Sequence, residues 1–266
     1  MTVKVLATDL DGTLIPLDES PQNRSDLAAV QSLLKEHGIP LVFVTGRHAE
    51  SVLQAIQDFS LPQPDAIICD VGTTILTADD GGKLVVQPEY ERHLSQLVDK
   101  WPADAIRAAV SWIAEIKLQE KEKQGLFKVS FYTAAADVER RSGEVRTALA
   151  ELSAPWSLIS SVDPFNGDGL IDLLPNGVSK SYAIDWFAKS HQWDQAQILF
   201  TGDSGNDLAA LTAGFRAAVV ANAADEVKTA AREAHAAAGW NDRLLECQHP
   251  ATSGVLEALR HFLATT

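Results

Sequence analysis

Two aspartates near the start of the chain have the spacing of a carboxylate pair at the end of a strand. Asp9 and Asp11 follow the apolar run 3–8 and precede the turn Gly12-Thr13. Because side chains alternate between the two faces of a strand, residues two apart can point the same way. Adjacent carboxylates repel each other, so such a pair favours a bound cation or a catalytic role. A simple Asp-Gly turn at the end of a strand is the alternative.

Three further polar segments stand at the ends or beginnings of predicted elements. Thr45-Gly46-Arg47 follows the apolar run 39–44, and GDSGND at 202–207 follows another apolar run. Lys180 stands just before a predicted helix. Taken singly, each segment has a simpler explanation. Thr45-Gly46-Arg47 is typical of a strand-to-helix turn, and Lys180 of a solvated surface lysine. The segment 202–207 is typical of a loop rich in turn residues. These alternatives do not explain why the segments occur in one order at strand ends.

The elements around these segments predict an α/β fold with a parallel sheet. Apolar runs such as 39–44 and 65–70 are typical of strands that are buried on both faces of a sheet. They alternate with helical patterns, the first of which covers residues 25–37 and ends at Gly38. Short connections between strands and helices favour a sheet whose strands run in parallel.

The pattern changes between residues 81 and 168, where longer helical stretches alternate with separated strands. We predict a helix over residues 104–118 and, because residues 119–125 are polar without apolar periodicity, a surface loop there. The α/β pattern then resumes. A chain of 266 residues is long enough for two domains. We therefore predict a core domain of residues 1–80 and 169–266 that carries an inserted α+β domain, residues 81–168.

The carboxylates of these segments predict a metal site. In an open α/β sheet, ligands bind beyond the carboxyl ends of the strands, so the four segments can meet in one crevice. That crevice would hold one ammonium group, that of Lys180, and four carboxylates, those of Asp9, Asp11, Asp203 and Asp207. So many carboxylates beside a single cation would be costly, which implies a divalent metal. A set of oxygen ligands indicates Mg²⁺ rather than zinc.

The composition excludes several classes of partner. The chain has 22 Lys+Arg against 36 Asp+Glu, a formal net charge of −14. Nucleic acids and anionic membrane surfaces need a basic footprint, so we expect neither as a partner. The sequence has no apolar run long enough to cross a bilayer, and its two cysteines, Cys69 and Cys247, lack the spacing of a disulfide framework or a metal site. With no signal-peptide pattern before the first strand, we expect a cytoplasmic protein.

Together, the four segments resemble the motifs of the haloacid dehalogenase-like (HAD) phosphatases. The matching motifs are DxDGT at 9–13, Thr45 after the second strand, the isolated Lys180 and GDSGND at 202–207. The insertion resembles the larger α+β cap of this superfamily. Thr45-Gly46-Arg47 and the predicted cap strand 128–132 are similar to segments of sucrose-phosphate phosphatases and related disaccharide-phosphate phosphatases. Those proteins usually have glycine after the lysine, whereas this chain has Ser181.

The resemblance implies a fold and a set of catalytic roles. The fold would be a Rossmann-like parallel-sheet core with an inserted α+β cap. Asp9 would be the nucleophile that forms an aspartyl-phosphate, and Asp11 would serve as general acid and then as general base. Mg²⁺ would be held by Asp9, by the backbone carbonyl of Asp11 and by Asp203. Asp207 would act on the metal through water.

The resemblance also implies residues that bind the substrate. Thr45, the Gly46 amide and Lys180 would hold the phosphoryl oxygens. Asn206 would be a further donor near them. These roles predict a Mg²⁺-dependent phosphatase acting on a small phosphorylated sugar, in particular a disaccharide phosphate such as sucrose 6-phosphate. We expect it to be a monomer or a small homo-oligomer.

Two residues and two functions stay open at this point. Arg47 could contact the substrate or an adjacent carboxylate, and Lys128 could reach from the cap to a sugar hydroxyl. The first alternative function is a sugar phosphomutase, which would use the same nucleophile and would move the phosphate within the sugar. The second is a non-catalytic phosphosugar-binding module, which would have little need for the carboxylates of the four segments.

Overall fold

The computed structural model of the chain describes residues 2–17, 20–79, 81–163 and 166–264. Within these residues the backbone forms one sheet of eight strands, the large sheet, and one sheet of four strands, the small sheet. The strands are β1 (Val5–Thr8), β2 (Leu41–Val44), β3 (Ala66–Cys69), β4 (Thr74–Ala78), β5 (Leu84–Val86), β6 (Lys117–Leu118), β7 (Val129–Thr133), β8 (Trp156–Val162), β9 (Gly169–Pro175), β10 (Ile198–Gly202), β11 (Arg216–Val219) and β12 (Leu244–Glu246). The helices are α1 (Pro21–His37), α2 (Ala49–Asp58), α3 (Pro88–Val98), α4 (Ala103–Val110), α5 (Val138–Glu151), α6 (Lys180–Ser190), α7 (Leu208–Leu211), α8 (Asp225–Ala238) and α9 (Ala251–Ala264).

The large sheet confirms the predicted α/β fold. Its strand order is β12-β11-β10-β1-β2-β3-β4-β5. The strands from β12 to β3 are parallel, and β4 and β5 extend the sheet with antiparallel pairing. The chain runs from β1 towards β3 and later returns to the other side of β1 as β10. The carboxyl end of β1 is therefore the point where the strand order reverses, which is where doubly wound sheets bind ligands.

Apolar residues bury the large sheet on both faces. In β1, Val5 and Ala7 pack on the same face as α6, whereas Leu6 packs on the face covered by α1 and α9. Because both faces are covered, the parallel strands need apolar residues at every position, which accounts for their continuous apolar runs. Among the described residues, no helix is both long enough and apolar enough to cross a membrane.

The small sheet has the strand order β6-β7-β9-β8, and every pair in it is antiparallel. Its buried residues, such as Val129 of β7, belong to the same apolar cluster as Ile106 of α4 and Val145 of α5. Trp156 of β8 is also buried there, and its indole N–H donates to the carbonyl of Trp101 at 2.9 Å. This layer of helices on one antiparallel sheet agrees with the predicted α+β character of the insertion.

Strand pairing near both predicted ends of the insertion, residues 81 and 168, favours later boundaries. β5 lies after residue 81, yet it pairs with β4 in the large sheet. β9 lies after residue 168, yet it pairs with both β7 and β8 in the small sheet. A buried strand has the same apolar pattern in either sheet, so the sequence could not assign β9. We propose residues 87–175 as the inserted unit in place of 81–168.

One prediction within the insertion is wrong, and a second holds for most of its residues. The helix predicted over residues 104–118 ends at Val110, and Lys117 and Leu118 instead form β6 by pairing with β7. The segment 119–125 is mostly exposed or half-buried, as expected of a surface loop, but Gln119 is buried. The side-chain amide of Gln119 donates to the carbonyl of Phe131 at 3.1 Å, and this contact with β7 satisfies the buried polar group.

Candidate active site

The centre of the candidate site is a buried ammonium group between two carboxylates. Lys180 is the first residue of α6 and is fully buried. Its Nζ donates to Oδ1 of Asp9 at 2.7 Å and to Oδ1 of Asp207 at 2.6 Å. The helix begins at this residue because the hydroxyl of Ser179 caps it by accepting the N–H of Tyr182 at 3.3 Å. Lys180 is therefore not the solvated surface residue that the sequence left open.

Burial and charge act on this centre in opposite directions. Burial by itself lowers the pKa of Lys180, but Asp207 and Asp9 outweigh it and raise this pKa above its ordinary value. Burial, followed by the charge of Asp207, raises the pKa of Asp9 well above its usual range, although Lys180 works against this. The ammonium group is thus held in its charged form, whereas the carboxylates are only partly compensated.

Asp203 brings a third carboxylate to the site. Carboxylate oxygens of Asp9, Asp203 and Asp207 all lie within 4.8 Å of one another. Burial, together with Asp207, raises the pKa of Asp203 to about 7. The hydroxyl of Thr13 donates to its Oδ1 at 2.7 Å, and the amide of Asn222 donates to its Oδ2 at 3.4 Å. Three clustered carboxylates beside one lysine leave excess negative charge, and this donor set fits a divalent cation that prefers oxygen ligands.

The loop 202–207 is closed by the side chain of Asp207. Its Oδ2 accepts the backbone N–H of Asp203 at 3.1 Å, and the N–H and hydroxyl of Ser204 at 2.9 and 3.0 Å. Its other oxygen, Oδ1, accepts a hydrogen bond from Nζ of Lys180. Asp207 thereby holds the loop and the lysine together. Its action on a metal through water stays a prediction.

Asp11 lies apart from the other carboxylates and pairs with Arg47. Its Oδ1 and Oδ2 accept from Nη2 and Nε of Arg47 at 2.6 and 2.7 Å, and Nη1 of Arg47 donates to the hydroxyl of Ser51 at 3.1 Å. The hydrogen bond to Asp11 raises the pKa of Arg47. Of the two contacts that the sequence left open for Arg47, the structure contains the one with a carboxylate. Such forked pairs fix orientation as well as charge.

The other residues predicted to bind phosphate lie next to this pair. Thr45 is buried, its N–H donates to the carbonyl of Ile68 at 2.8 Å, and its hydroxyl accepts the N–H of Arg47 at 3.1 Å. A Cβ atom built on Gly46 would lie 3.7 Å from Nδ2 of Asn206. The ends of β2 and β10 thus bring Thr45, Gly46 and Asn206 into one wall of the crevice.

A cavity of about 310 Å³ lies between the large sheet and the small sheet. The large sheet contributes Asp9, Asp11 and Asp203 to its lining, along with the segment 45–47. The residues that line it from the insertion are mostly polar and include Gln119, Lys123, Lys128, Asp163 and Asp172. Lys128 is buried, and its Nζ donates to the carbonyl of Gly46 at 3.4 Å, so it reaches from the small sheet to the segment predicted to bind phosphate.

Sequence reasoning missed two polar residues at the ends of strands. Asp70 directly follows β3, and its carboxylate accepts from Lys128 at 3.4 Å. Asn222 follows the end of β11, and its amide donates to the carbonyl of Gly12 at 2.8 Å. Asp70 and Asn222 could have been found by the signal that identified Asp9 and Thr45, which is a position after a parallel strand. Gln119 and Lys123 gave no comparable signal, because the insertion has no strand-end pattern.

The large sheet is doubly wound, has clustered carboxylates where its strand order reverses, and faces a second sheet. This combination is that of a HAD-like phosphatase. A sequence profile of the sucrose-6F-phosphate phosphohydrolase family matches residues 2–263. A HAD-like hydrolase of Nitrosococcus oceani is 34% identical over 98% of this chain and 72% of its own length. The chain therefore belongs to the sucrose-6F-phosphate phosphohydrolase family, and it is a phosphoric monoester hydrolase.

Two further similarities agree with this assignment. Mannosylfructose-phosphate phosphatase of Agrobacterium fabrum is 27% identical over 98% of this chain and 97% of its own length. The structure of sucrose-phosphatase from Synechocystis, solved in complex with sucrose and phosphate, matches this fold with a TM-score of 0.78. That comparison covers 98% of both chains at 23% identity, so it shows a shared fold.

Proposed function

We propose that the protein is a Mg²⁺-dependent phosphatase that hydrolyses a sugar phosphate, in particular a disaccharide phosphate such as sucrose 6-phosphate. One observation carries the proposal: Asp9 and Asp203 of the carboxylate cluster line a cavity whose opposite wall is mostly polar. A phosphoryl group needs cations and donors, whereas sugar hydroxyls need hydrogen-bonding side chains around them. The similarity to a mannosylfructose-phosphate phosphatase supports a disaccharide. A cytoplasmic location and a monomeric or small homo-oligomeric state stay predictions.

In the first step, a carboxylate oxygen of Asp9 attacks phosphorus while the bond from phosphorus to the sugar oxygen breaks, leaving an aspartyl-phosphate. Lys180 supports this role because it holds Asp9 at 2.7 Å and is itself held by Asp207. When bound, Mg²⁺ would offset the negative charge between the nucleophile and the phosphate. Asp9, the backbone carbonyl of Asp11 and Asp203 would hold it, with Asp207 acting through water.

Asp11 moves the proton in both steps. It gives a proton to the leaving sugar oxygen as that bond breaks. Its carboxylate then takes a proton from the water that attacks the phosphorus of the aspartyl-phosphate, which releases inorganic phosphate and restores Asp9. The two hydrogen bonds from Arg47 fix the direction of the Asp11 side chain, so that the same group faces the leaving oxygen in the first step and the attacking water in the second.

The remaining residues would bind the substrate. The hydroxyl of Thr45, the N–H of Gly46, the amide of Asn206 and the Lys180 ammonium group would hold phosphoryl oxygens, which is the positioning that phosphoryl transfer depends on. Lys128 would meet a sugar hydroxyl from the other side of the cavity. In this arrangement the small sheet acts as a cap that keeps bulk water away from the reacting atoms.

Phosphate release from a panel of sugar phosphates with Mg²⁺ tests this function. The panel contains sucrose 6-phosphate, other disaccharide phosphates and hexose phosphates, and each is assayed with Asp9→Asn and with Asp26→Asn on α1 as a matched control. We expect release that is greatest for a disaccharide phosphate and about 10³-fold slower in Asp9→Asn, with Asp26→Asn equal to the wild type. No release from the whole panel would refute the proposal. Phosphate that migrates within the sugar without release would favour the phosphomutase.

A further inference from the structure

Lys128 makes a charged contact between the two sheets. It directly precedes β7 of the small sheet and is only 3% exposed. Its Nζ lies 3.4 Å from Oδ1 of Asp70 and 4.0 Å from Oδ1 of Asp172 on β9. The same atom donates to the carbonyl of Gly46 at 3.4 Å. The ammonium group of a small-sheet residue is therefore held mainly by groups that belong to the large sheet.

Asp70 holds the Thr45–Arg47 segment through its backbone as well as Lys128 through its side chain. Its N–H donates to the carbonyl of Arg47 at 2.9 Å, and the N–H of Val71 donates to the carbonyl of Thr45 at 3.1 Å. Asp70 is buried, which raises the pKa of its carboxyl, while Lys128 opposes that rise. One residue thus touches both the wall that would bind phosphate and the lysine that would bind the sugar.

The backbone at this point is strained. Asp70 has a φ of 53° and Val71 has a φ of 58°. Residues other than glycine rarely adopt this region of backbone conformation. A β-branched residue such as Val71 is especially unfavourable there. Strain of this kind persists where surrounding contacts fix the backbone, and it is concentrated at functional sites.

We propose that Asp70 is a positioning residue that holds Lys128 against Gly46 and so aligns the sugar with the phosphate site. The proposal rests on the proposed function, because it assigns Lys128 to the sugar. Asp70 acts through Lys128 and touches no reacting atom. Its effect should be greatest for substrates that have a sugar to be aligned, since removing one partner of a buried ion pair leaves the other charge uncompensated and less firmly placed.

Asp70→Asn is the variant that tests this role. Asparagine has nearly the same size and adopts positive φ readily, so the turn is kept while the charge is lost. We expect kcat/KM for the preferred sugar phosphate to fall about tenfold more than kcat/KM for p-nitrophenyl phosphate, mainly through KM. The matched control is Asp65→Asn at the other end of β3, where the side chain accepts the N–H of Leu41 at 2.8 Å. We expect the control to match the wild type for both substrates.

A double variant separates positioning from a general loss of stability. If Asp70 acts through Lys128, adding Asp70→Asn to Lys128→Gln should change KM for the sugar phosphate little further. Two single effects that simply add would overturn the proposal. So would an equal loss on both substrates in Asp70→Asn, because that is the result of a disturbed fold.

Chemical labelling gives a readout that does not depend on catalysis. With limiting acetic anhydride, the acetylation of Lys128 is compared by mass spectrometry with that of the exposed Lys121 in the same sample. We expect this ratio to rise about tenfold in Asp70→Asn, because the amine is no longer held in a buried contact. An unchanged ratio would overturn the proposal. If the wild type hydrolyses no sugar phosphate but the ratio still rises, the proposed function fails while the contact between Asp70 and Lys128 stands.

Discussion

The side chain of Asp203 lies in surroundings that favour its neutral form. Burial and the charge of Asp207 raise its pKa from the ordinary value of 3.8 to about 7. A group whose pKa is raised by folding binds more protons in the folded state than in the unfolded chain. Its contribution to stability is therefore complete below about pH 4 and is lost as the pH rises through about 7.

We expect Asp203→Asn to remove this pH dependence from the metal-free protein. Between about pH 5 and pH 8 in EDTA, the wild type should lose stability relative to the variant, because only the wild type must ionise this buried carboxyl. Urea denaturation followed by tryptophan fluorescence measures the difference. Asp104→Asn, at an exposed carboxylate of α4, should follow the wild type. If the wild type and Asp203→Asn gave parallel curves, the pKa of Asp203 would not be raised.

At the scale of the elements, the turn between β3 and β4 packs against the start of α6, the helix that carries Lys180. A Cβ atom at Gly72, where φ is 99°, would overlap with the carbonyl oxygen of Ser179. Ser179 is the residue that caps α6, and Lys180 begins that helix. The turn therefore packs against the backbone that fixes the buried lysine, and it has no room for a side chain at this position.

We expect Gly72→Ala to destabilise the protein far more than Gly82→Ala does. Both glycines have positive φ, 99° and 76°, but a Cβ atom at Gly82 would meet nothing within 4 Å. The backbone penalty should cost about 1–2 kcal/mol at either position. The overlap at Gly72 should bring its total to roughly 3 kcal/mol or more. Free energies of unfolding from urea titrations measure both costs, and equal values would contradict the tight contact with Ser179.

For the whole molecule, the candidate metal site connects distant parts of the chain. Asp9 follows β1 near the start, whereas Asp203 follows β10 in the last third, and Lys180 comes from α6. The carboxylates of Asp9 and Asp203 lie together because β1 and β10, which are far apart in sequence, are neighbours in the large sheet. A cation that binds them would therefore favour the folded state of the whole sheet and not one local segment.

We expect MgCl₂ to raise the melting temperature of the metal-free protein. At a concentration one hundred times Kd, binding adds about 2.7 kcal/mol, which corresponds to roughly 5–10 °C for a chain of this size. Thermal unfolding of EDTA-treated protein measures the shift, with NaCl at equal ionic strength as the control. Asp203→Asn should show little shift with MgCl₂. A rise of the same size in the variant or in NaCl would argue against a specific cation site.

The apolar runs were enough to predict the parallel sheet, and the polar residues that follow them predicted much of its carboxyl edge. Strands buried on both faces need continuous apolar runs, and this requirement is local, so it can be recognised without the fold. The polar residues that end those runs, such as Asp9, Thr45 and Asp203, then stand at one edge by topology alone. The same rule would have found Asp70, which follows β3.

The sheet that each strand joins and the charges that meet could be read only from the folded chain. β9 has an apolar pattern that suits either sheet, and its pairing with β7 and β8 places it in the small sheet. The contacts of Lys128 with Asp70 and of Arg47 with Asp11 join residues far apart in sequence. Such pairs leave no local pattern, because their energy depends on distance and burial, and both arise only when the chain is folded.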